Sequence, residues 1–529
     1  MNRFLWSPRS ARSLWPFCLV ATAFMLLAVP AFMLGGVTWD ELFDFEGVNG
    51  AFWHGINTIK GLNPDISTIT FDLEYFGNAT RWPTYFFWRL LSTTPWESFS
   101  GLSRTATILS GSYVGLNHLN AVTFGLLGIG FVSLIGWQLG GRHLALWSGV
   151  FLALLPTWLG HSWMNSKDIP FATSYLVYTY GSVLLLARHS RNSSNPFFGS
   201  STVFRVIGVA LLLGSRIGSL PFVAIAELVY IVILRRHYLG AGLSVIFGIL
   251  LGYVLTPQAW SAPIGYPIAA LNFIGDRQGA ISPAHTFSYI AHHLYESLPL
   301  LIVIGLLILL VYCLTLPGLS RRIVVWAPLL LQLFTAPVLL VVGSKSIYNE
   351  LRHILFIFPP ICVLSAYGWL RYLGGYSPRG FPRRLAALSL LFLVLALMFE
   401  DVSLAPYQYT YRSDLARLLS PGQNLHRDYW GYSARETIQR CLRTPSCSGF
   451  VSSSSFRLRE GDWNPVLFDG YRELLQPDDF SQPPHEGHPA LELQVSNSRD
   501  QCKSVVETSR RLFFPVRSVS LISRIADCS

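Results

Sequence analysis

The sequence predicts an all-α polytopic membrane protein with a polar C-terminal domain, and three observations lead there. Of 529 residues, 51% are hydrophobic and only 13% charged, with a mean hydropathy of +0.41; a soluble protein carries roughly 25% charged residues. The apolar residues are bunched into runs of about 16 to 22, the length that crosses a bilayer as a helix. Beyond residue 400 the chain turns polar and has no such run. The expected division is a membrane core over 1–400 and a soluble α/β or α+β domain over 401–529. The net charge of +10 would suit nucleic acid, but the placement of the arginines fits membrane orientation instead. Nucleic acid is not expected as a partner.

Taken in order, residues 1–12 carry Arg3, Arg9 and Arg12 and no acid. The run 13–35 is longer than the apolar part of a signal peptide and has no small-residue cleavage pattern, so it is expected to be a retained first span. Further spans are expected near 120–139, 144–162, 170–187, 204–219, 220–234, 239–256, 298–316, 323–342, 353–370 and 385–400, about eleven in all. Only the turn Gly214-Ser215-Arg216-Ile217-Gly218 separates the pair around 204–234. One set of alternate connections holds Arg3, Arg9, Arg12, Arg142, Arg188, Arg191, Arg205, Arg235, Arg236, Arg321, Arg322, Arg371, Arg379, Arg383 and Arg384, with no Asp or Glu. The positive-inside rule makes that side cytoplasmic, with the N-terminus, and an odd number of spans puts the C-terminal domain outside. The spans themselves read as free of charged groups.

The other side is built from long connections, about 36–118, 257–297 and the tail. The first holds Asp40, Glu41, Asp44, Glu46, Asp65, Asp72, Glu74 and Glu97. Within it, Arg81-Trp82-Pro83-Thr84-Tyr85-Phe86-Phe87-Trp88-Arg89-Leu90-Leu91 is aromatic-rich and amphipathic, the pattern of a helix lying in the interface.

Three stretches on this side carry chemistry. Asp40 and Glu41 stand just past the first span; as isolated loop charges they need no explanation, but a carboxylate there can also take a proton from a hydroxyl, and a second one nearby can tune it. His161-Ser162-Trp163-Met164-Asn165-Ser166-Lys167-Asp168-Ile169-Pro170 packs His, Asn, Lys and Asp into one short connection. Asp168 is expected to cap the following helix with Pro170 in its first turn, a role compatible with a place in a site; Lys167 suits either a site or a snorkelling surface charge. In Gly343-Ser344-Lys345-Ser346-Ile347-Tyr348-Asn349-Glu350-Leu351-Arg352-His353, the bases Lys345, Arg352 and His353 are suited to a phosphate, which arginine meets with two parallel hydrogen bonds. Arg216 is a weaker candidate for an anion, and His292-His293 suit interfacial packing better than metal. The tail opens with Pro406-Tyr407-Gln408-Tyr409-Thr410-Tyr411 and continues to Asp428-Tyr429-Trp430-Gly431-Tyr432-Ser433-Ala434-Arg435-Glu436, where aromatic edges serve a small core or a sugar ring.

No phosphate-binding glycine loop, dinucleotide fingerprint, zinc spacing or nucleophile elbow is present, and neither a metal nor a cofactor is expected. Cys18, Cys313 and Cys362 lie in apolar runs as small hydrophobes. Cys441, Cys447, Cys502 and Cys528 lie in the tail, where Cys441–Cys447 is the favoured pairing because it closes a short loop around Pro445.

With these residues laid out, the chain resembles the GT-C superfamily of membrane glycosyltransferases, and most of all bacterial relatives of the protein O-mannosyltransferases and aminoarabinose transferases. The likeness rests on Asp40-Glu41 after the first span, NSKDIPFA at 165–172, YNELRHILFIFPP at 348–360, and PYQYTY with DYWGYSARE in the tail. The resemblance implies a GT-C-like fold with its site at the outer face of a bacterial inner membrane, and a polyprenyl-phosphate-linked sugar as donor substrate. It further implies inversion at the anomeric carbon and a protein, lipid or glycan acceptor. By motif it makes Asp40 the general base, with Glu41 and Asp168 shaping the acceptor site. It places the loop of Lys345, Tyr348, Arg352 and His353 near the site, as it does Asn165 and Lys167; the phosphate role of Lys345 and Arg352 is an expectation from their chemistry. Two other readings fit the same architecture: a transporter or flippase of lipid-linked glycans, which requires charged groups at mid-membrane, and a non-catalytic glycolipid-binding scaffold.

Overall fold

The computed structural model describes residues 18, 20–27, 39–62, 77–93, 113–190, 199–235, 238–277, 281–315, 323–345, 347, 350–374, 383–419, 433, 436–437, 440, 443, 451–452, 491–494, 503–512 and 518–527. Helices dominate: α1 Trp39–Ile59, α2 Trp82–Thr93, α3 Tyr113–Gly140, α4 Arg142–Ala153, α5 Pro156–Met164, α6 Asp168–His189, α7 Ser200–Ser215, α8 Leu220–Leu234 and α9 Tyr238–Val254. They continue with α10 Gly265–Arg277, α11 Pro283–Ser297, α12 Leu300–Thr315, α13 Ile323–Val342, α14 Phe358–Leu373, α15 Arg383–Leu404 and α16 Asp414–Leu419. Among the described residues four strands follow: β1 Val451–Ser452, β2 Leu491–Gln494, β3 Lys503–Leu512 and β4 Ser518–Asp527. They form one sheet in the order β1-β2-β4-β3, parallel between β1 and β2 and antiparallel elsewhere.

Every expected run after the first falls on a helix, but the runs do not all make full spans. Six helices are long and apolar enough to cross a membrane: Gly115–Gly140, Asp168–His189, Ile217–Leu234, Val324–Val342, Arg352–Leu373 and Arg383–Leu404. The number rises to eight if each of two bent pairs is one span, so the chain is a multi-pass membrane protein with fewer full-length spans among the described residues than the eleven expected. The run at 144–162 is broken between α4 and α5 by a 64° bend, where Pro156 opens α5 and lacks the N–H that would continue α4. The run at 298–316 follows a 115° bend between α11 and α12. The runs at 204–219 and 239–256 become the shorter α7 and α9. Most of the first run lies outside the described residues.

The bundle packs through small residues. Lipid tails are as apolar as the helices, so close van der Waals contact has to hold them together. A Cβ on Gly208 would stand 2.4 Å from the Tyr178 amide nitrogen, and one on Gly368 would stand 2.0 Å from the Gly305 carbonyl oxygen. Only glycine lets α7 meet α6 and α14 meet α12 at these distances. α6 is the centre of the bundle, with every residue from Asp168 to Val183 buried.

Two expectations about charge are corrected here. Arg205 is not a loop charge: it lies inside α7, 1% exposed, and pairs with Glu227 of α8 at 2.8 Å, so the spans are not free of charge. Its guanidinium also donates to Ser244 Oγ at 2.9 Å, Ser182 Oγ at 3.1 Å and the Ala241 carbonyl at 3.2 Å. Tyr178 and Tyr238 donate their hydroxyls to Glu227. A charge in a bilayer survives only when it is answered in this way. Removing one partner leaves the other buried and uncompensated. Glu227→Ala is therefore expected to cost about 3–5 kcal/mol, read as a lowered melting temperature in detergent, and Arg205→Met with Glu227→Leu is expected to recover much of it.

Candidate functional site

Because consecutive helices alternate in direction, one end of the bundle collects the start of α6, the turn 216–219, the 343–352 loop, the start of α14 and the segment after α15. The contacts confirm the convergence. Asn165 closes the connection before α6: its Oδ1 accepts from the backbone amides of Asp168 at 2.8 Å and Lys167 at 3.2 Å. Asp168 was expected to be the cap. It is instead the first helical residue, and Asn165 takes over the free amides. The Asp168 carboxylate is thereby released for other partners. Asn165 Nδ2 donates to its Oδ2 at 2.9 Å, and Arg216 forms an ion pair with its Oδ1. The Arg216 guanidinium also lies 5.4 Å from the centre of the Phe171 ring.

Asp168 is 3% exposed, yet three separate stretches of the chain serve it. Arg352 and His353, at the start of the helical turn Arg352–Ile357, lie within electrostatic reach of it. Arg352 Nε stands 3.4 Å from His353 Nε2. Behind them, Phe356 packs on Phe171, Tyr175 and Phe222, with centroids 5.7, 5.1 and 5.8 Å apart. The apolar half of one motif thus holds the polar half of another in place. On the opposite flank His161 lies 3.1 Å from Asn165 Nδ2 and packs its ring on Tyr409 at 6.1 Å. Trp163 Nε1 donates to Gln408 Oε1 at 3.0 Å.

The segment Pro406–Tyr411 is a strap across α5. A Cβ on Gly160 would stand 2.0 Å from the Tyr409 amide nitrogen, so the strap lies directly on the helix backbone. Tyr407 donates to Glu436 Oε2 at 2.7 Å, which ties in one residue of the DYWGYSARE stretch. Burial, with Asp414 adding to it against Arg417, pushes the Tyr411 hydroxyl well above the usual phenol range. These tyrosines build a core rather than an open sugar platform.

The helix of Asp40 is linked to this centre. Asp40 and Glu41 are the second and third residues of α1, where the unpaired amides of a helix start favour negative charge; their side chains lie outside the described residues. Asn78 Nδ2 reaches the Gly47 carbonyl of α1 at 3.4 Å. The next residue, Ala79, donates its amide to the Gly214 carbonyl at 2.9 Å, two residues before Arg216. At its far end α1 is held by His54 Nε2, 3.0 Å from Ser261 Oγ. The expected interfacial helix is α2: Tyr85 donates to Asn49 Oδ1 of α1 at 2.8 Å, Trp82 Nε1 donates to the Leu255 carbonyl at 2.7 Å, and Phe86, Phe87 and Leu90 are exposed.

Of the expected site residues, then, Asn165 and Asp168 are buried and bonded to each other, while Lys167, Lys345, Arg352 and His353 are half-buried at the same end. Tyr348 lies outside the described residues, as do the four tail cysteines and the favoured Cys441–Cys447 pairing. Sequence reasoning undervalued Arg216 and missed the 77–80 link. The signal for Arg216 was its position in a turn at the same end as Asp168. Among the described residues no group of three or more His, Cys, Asp or Glu could hold a metal ion.

No protein-family model matches the sequence, and no curated protein matches it. Among solved structures the chain is similar to ArnT from Cupriavidus metallidurans bound to undecaprenyl phosphate, with 12% identity, a TM-score of 0.47, and 90% of this chain and 92% of that chain covered. The apo state of the same protein gives 12% identity, a TM-score of 0.45 and coverage of 98% on both sides. The archaeal oligosaccharyltransferase AglB from Archaeoglobus fulgidus, in complex with an inhibitory peptide and a dolichol-phosphate, gives 14% identity and 0.44, over 88% of this chain and 61% of that chain. Likeness at this level carries no residue-by-residue correspondence, and the chemistry of the site stands on its own geometry.

Two measurements test that geometry. A double-mutant cycle with Asp168→Asn and Arg216→Ala is expected to give a coupling of about 2 kcal/mol in thermal or chemical stability. Gly160→Ala is expected to cost about 1–3 kcal/mol, because the strap backbone has to move away from α5.

Proposed function

We propose that this chain is a GT-C-type glycosyltransferase of the bacterial inner membrane. It moves a sugar from a polyprenyl-phosphate donor to a hydroxyl of a protein, lipid or glycan acceptor at the outer face. The observation that carries the reading is the meeting of Asp168, Arg216 and Arg352–His353, from three distant stretches, at one buried end of a membrane bundle. A lipid-linked donor cannot leave the bilayer, so its phosphate and sugar have to be met where helices end. The division into a membrane core over 1–400 and an extracytoplasmic domain over 401–529 belongs to the same proposal.

In this mechanism the Asp40 carboxylate takes the proton from the acceptor hydroxyl, and Glu41 orients the acceptor. The acceptor oxygen attacks the anomeric carbon from the face opposite the phosphate, and the carbon–oxygen bond to phosphate breaks with inversion. The polyprenyl phosphate leaves with the electron pair of that bond. Its growing negative charge is met by Arg352 and Lys345, and in a low-dielectric site such stabilisation is usually the largest single contribution to rate. Asp168 is not the base. Its carboxylate is held by Asn165 and Arg216, and its part is to fix the frame on which Lys167, Arg352 and His353 stand. No step calls on a metal or cofactor.

The transporter reading draws on one observation, the charged pair inside the bundle. Its Arg205 already donates to Glu227, Ser182, Ser244 and Ala241, an arrangement that serves to lock helices together. A scaffold without chemistry predicts that Asp40 is dispensable. In membranes supplied with a labelled polyprenyl-phosphate sugar, Asp40→Asn is expected to slow transfer about 100-fold or more, the usual size of a general-base contribution. Full transfer by that variant sinks the assignment. Arg352→Ala is expected to weaken donor binding and to make what remains more salt-sensitive, and an unchanged donor affinity removes Arg352 from the phosphate site.

A further inference from the structure

The loop between α13 and α14 has a backbone that its sequence does not favour. Ser344 and Glu350 both take positive φ, 53° and 58°, the left-handed region where a side chain crowds its own backbone and glycine is usual. Non-glycine residues stay there only when their surroundings hold them. At Ser344 part of that hold is the end of α13, whose Val341 and Leu340 carbonyls accept the Ser344 and Lys345 amides at 3.1 and 3.0 Å, and α11 with the two residues before it adds three bonds. The amide of Ile281 donates to the Ser344 carbonyl at 2.9 Å. Thr286 Oγ1 donates to the Lys345 carbonyl at 3.0 Å. The amide of Glu350 donates to the Tyr289 hydroxyl oxygen at 3.1 Å. Each bond falls on a left-handed residue or its neighbour, and the last lies two residues before Arg352.

α11 is suited to hold rather than to span. It turns Thr286 and Ile290 inward, at 0% and 6% exposure, and leaves Phe287 outside at 65%. The Tyr289 ring rests on His293 with centroids 4.2 Å apart, which fixes where its hydroxyl points. The far end of the helix is tied down as well. Ser413 donates its amide to the Glu296 carbonyl and its hydroxyl to the Tyr295 carbonyl, both at 2.7 Å.

We infer that α11 is a splint for the loop bearing Lys345 and Arg352, and that Tyr289 is the positioning residue that sets the approach of the loop to Arg352 and thereby the affinity for a lipid-linked phosphate. This rests on the proposed anion role of that loop. The role inferred for Tyr289 is to hold the loop and not to bind phosphate or sugar. Tyr289 accepts the Glu350 amide, and with that bond in place Arg352 leaves the loop in one direction.

The test uses the full chain in lipid nanodiscs, with a fluorescent polyprenyl monophosphate as probe and amide hydrogen exchange as a second readout. Tyr289→Phe keeps the ring and removes only the hydroxyl. It is expected to speed exchange at Glu350 and to weaken probe binding about three- to tenfold, the range for one hydrogen bond, while Phe287→Ala leaves both unchanged. Adding Glu350→Gly to Tyr289→Phe is expected to restore part of the affinity, because glycine takes positive φ without crowding. Unchanged exchange in Tyr289→Phe overturns the splint, and faster exchange with unchanged affinity overturns the positioning role. Wild-type protein that binds the probe but transfers no sugar from the matching donor removes the transferase reading and leaves this inference standing. Wild-type transfer together with full probe binding by Tyr289→Phe removes this inference alone.

Discussion

The ion pair between Asp168 and Arg216 joins the first residue of α6 to the turn between α7 and α8, and the candidate site is arranged around it. A carboxylate this deeply buried is costly unless a cation and hydrogen-bond donors answer it. Arg216 and the Asn165 amide do so, and Arg352 and His353 stand within reach. Meeting that demand draws three connections of the chain to one place. The same constraint acts a second time inside the bundle, where Glu227 answers Arg205. One pair closes on itself within the helices. The other stands where helices end and half-buried bases gather.

Around that pair the structure is organised by backbone contact more than by side-chain volume. The strap at 406–411 lies on α5 because Gly160 has no side chain, and Trp163 and Gln408 then lock the two together. The 77–80 link works in the same way, with Ala79 bonded to Gly214 and Asn78 to Gly47. α1, which begins at the Asp40 pair of acids, is thus coupled to the turn of Arg216 through a few residues whose own chemistry is plain. Such links transmit position because backbone amides and carbonyls buried away from water have to be paired.

Ser344 and Glu350, left-handed in the 343–352 loop, show a different use of the same rule. Their backbone is unfavourable by itself, and α11 adds bonds to those that the end of α13 already supplies. The 115° bend after α11 turns this helix away from the path of α12, which frees its inner face to serve the loop. The described residues here divide the labour: spanning helices set depth, and short amphipathic helices such as α2 and α11 set the geometry at their ends.

Much of this was legible in the residues. Apolar runs located the helices, since a bilayer requires about 20 apolar residues to cross it, and the amphipathic 81–91 stretch marked α2. Charge alternation put Asn165, Lys167, Asp168, Lys345, Arg352 and His353 at one end, because consecutive spans reverse direction. What the sequence could not show is pairing between distant positions. Nothing local tells Asp168 that Arg216 will claim its carboxylate. Arg205 read as a loop charge because its ion-pair partner, Glu227, lies on another helix. Among the described residues fewer full-length spans are seen than the composition suggests for a related reason: Pro156 turns the chain by 64° inside a run whose composition is unbroken. Composition decides whether a segment enters the membrane, through transfer free energies summed residue by residue. Which polar groups meet there is decided by the packing of helices far apart in the chain, and only the tertiary structure contains it.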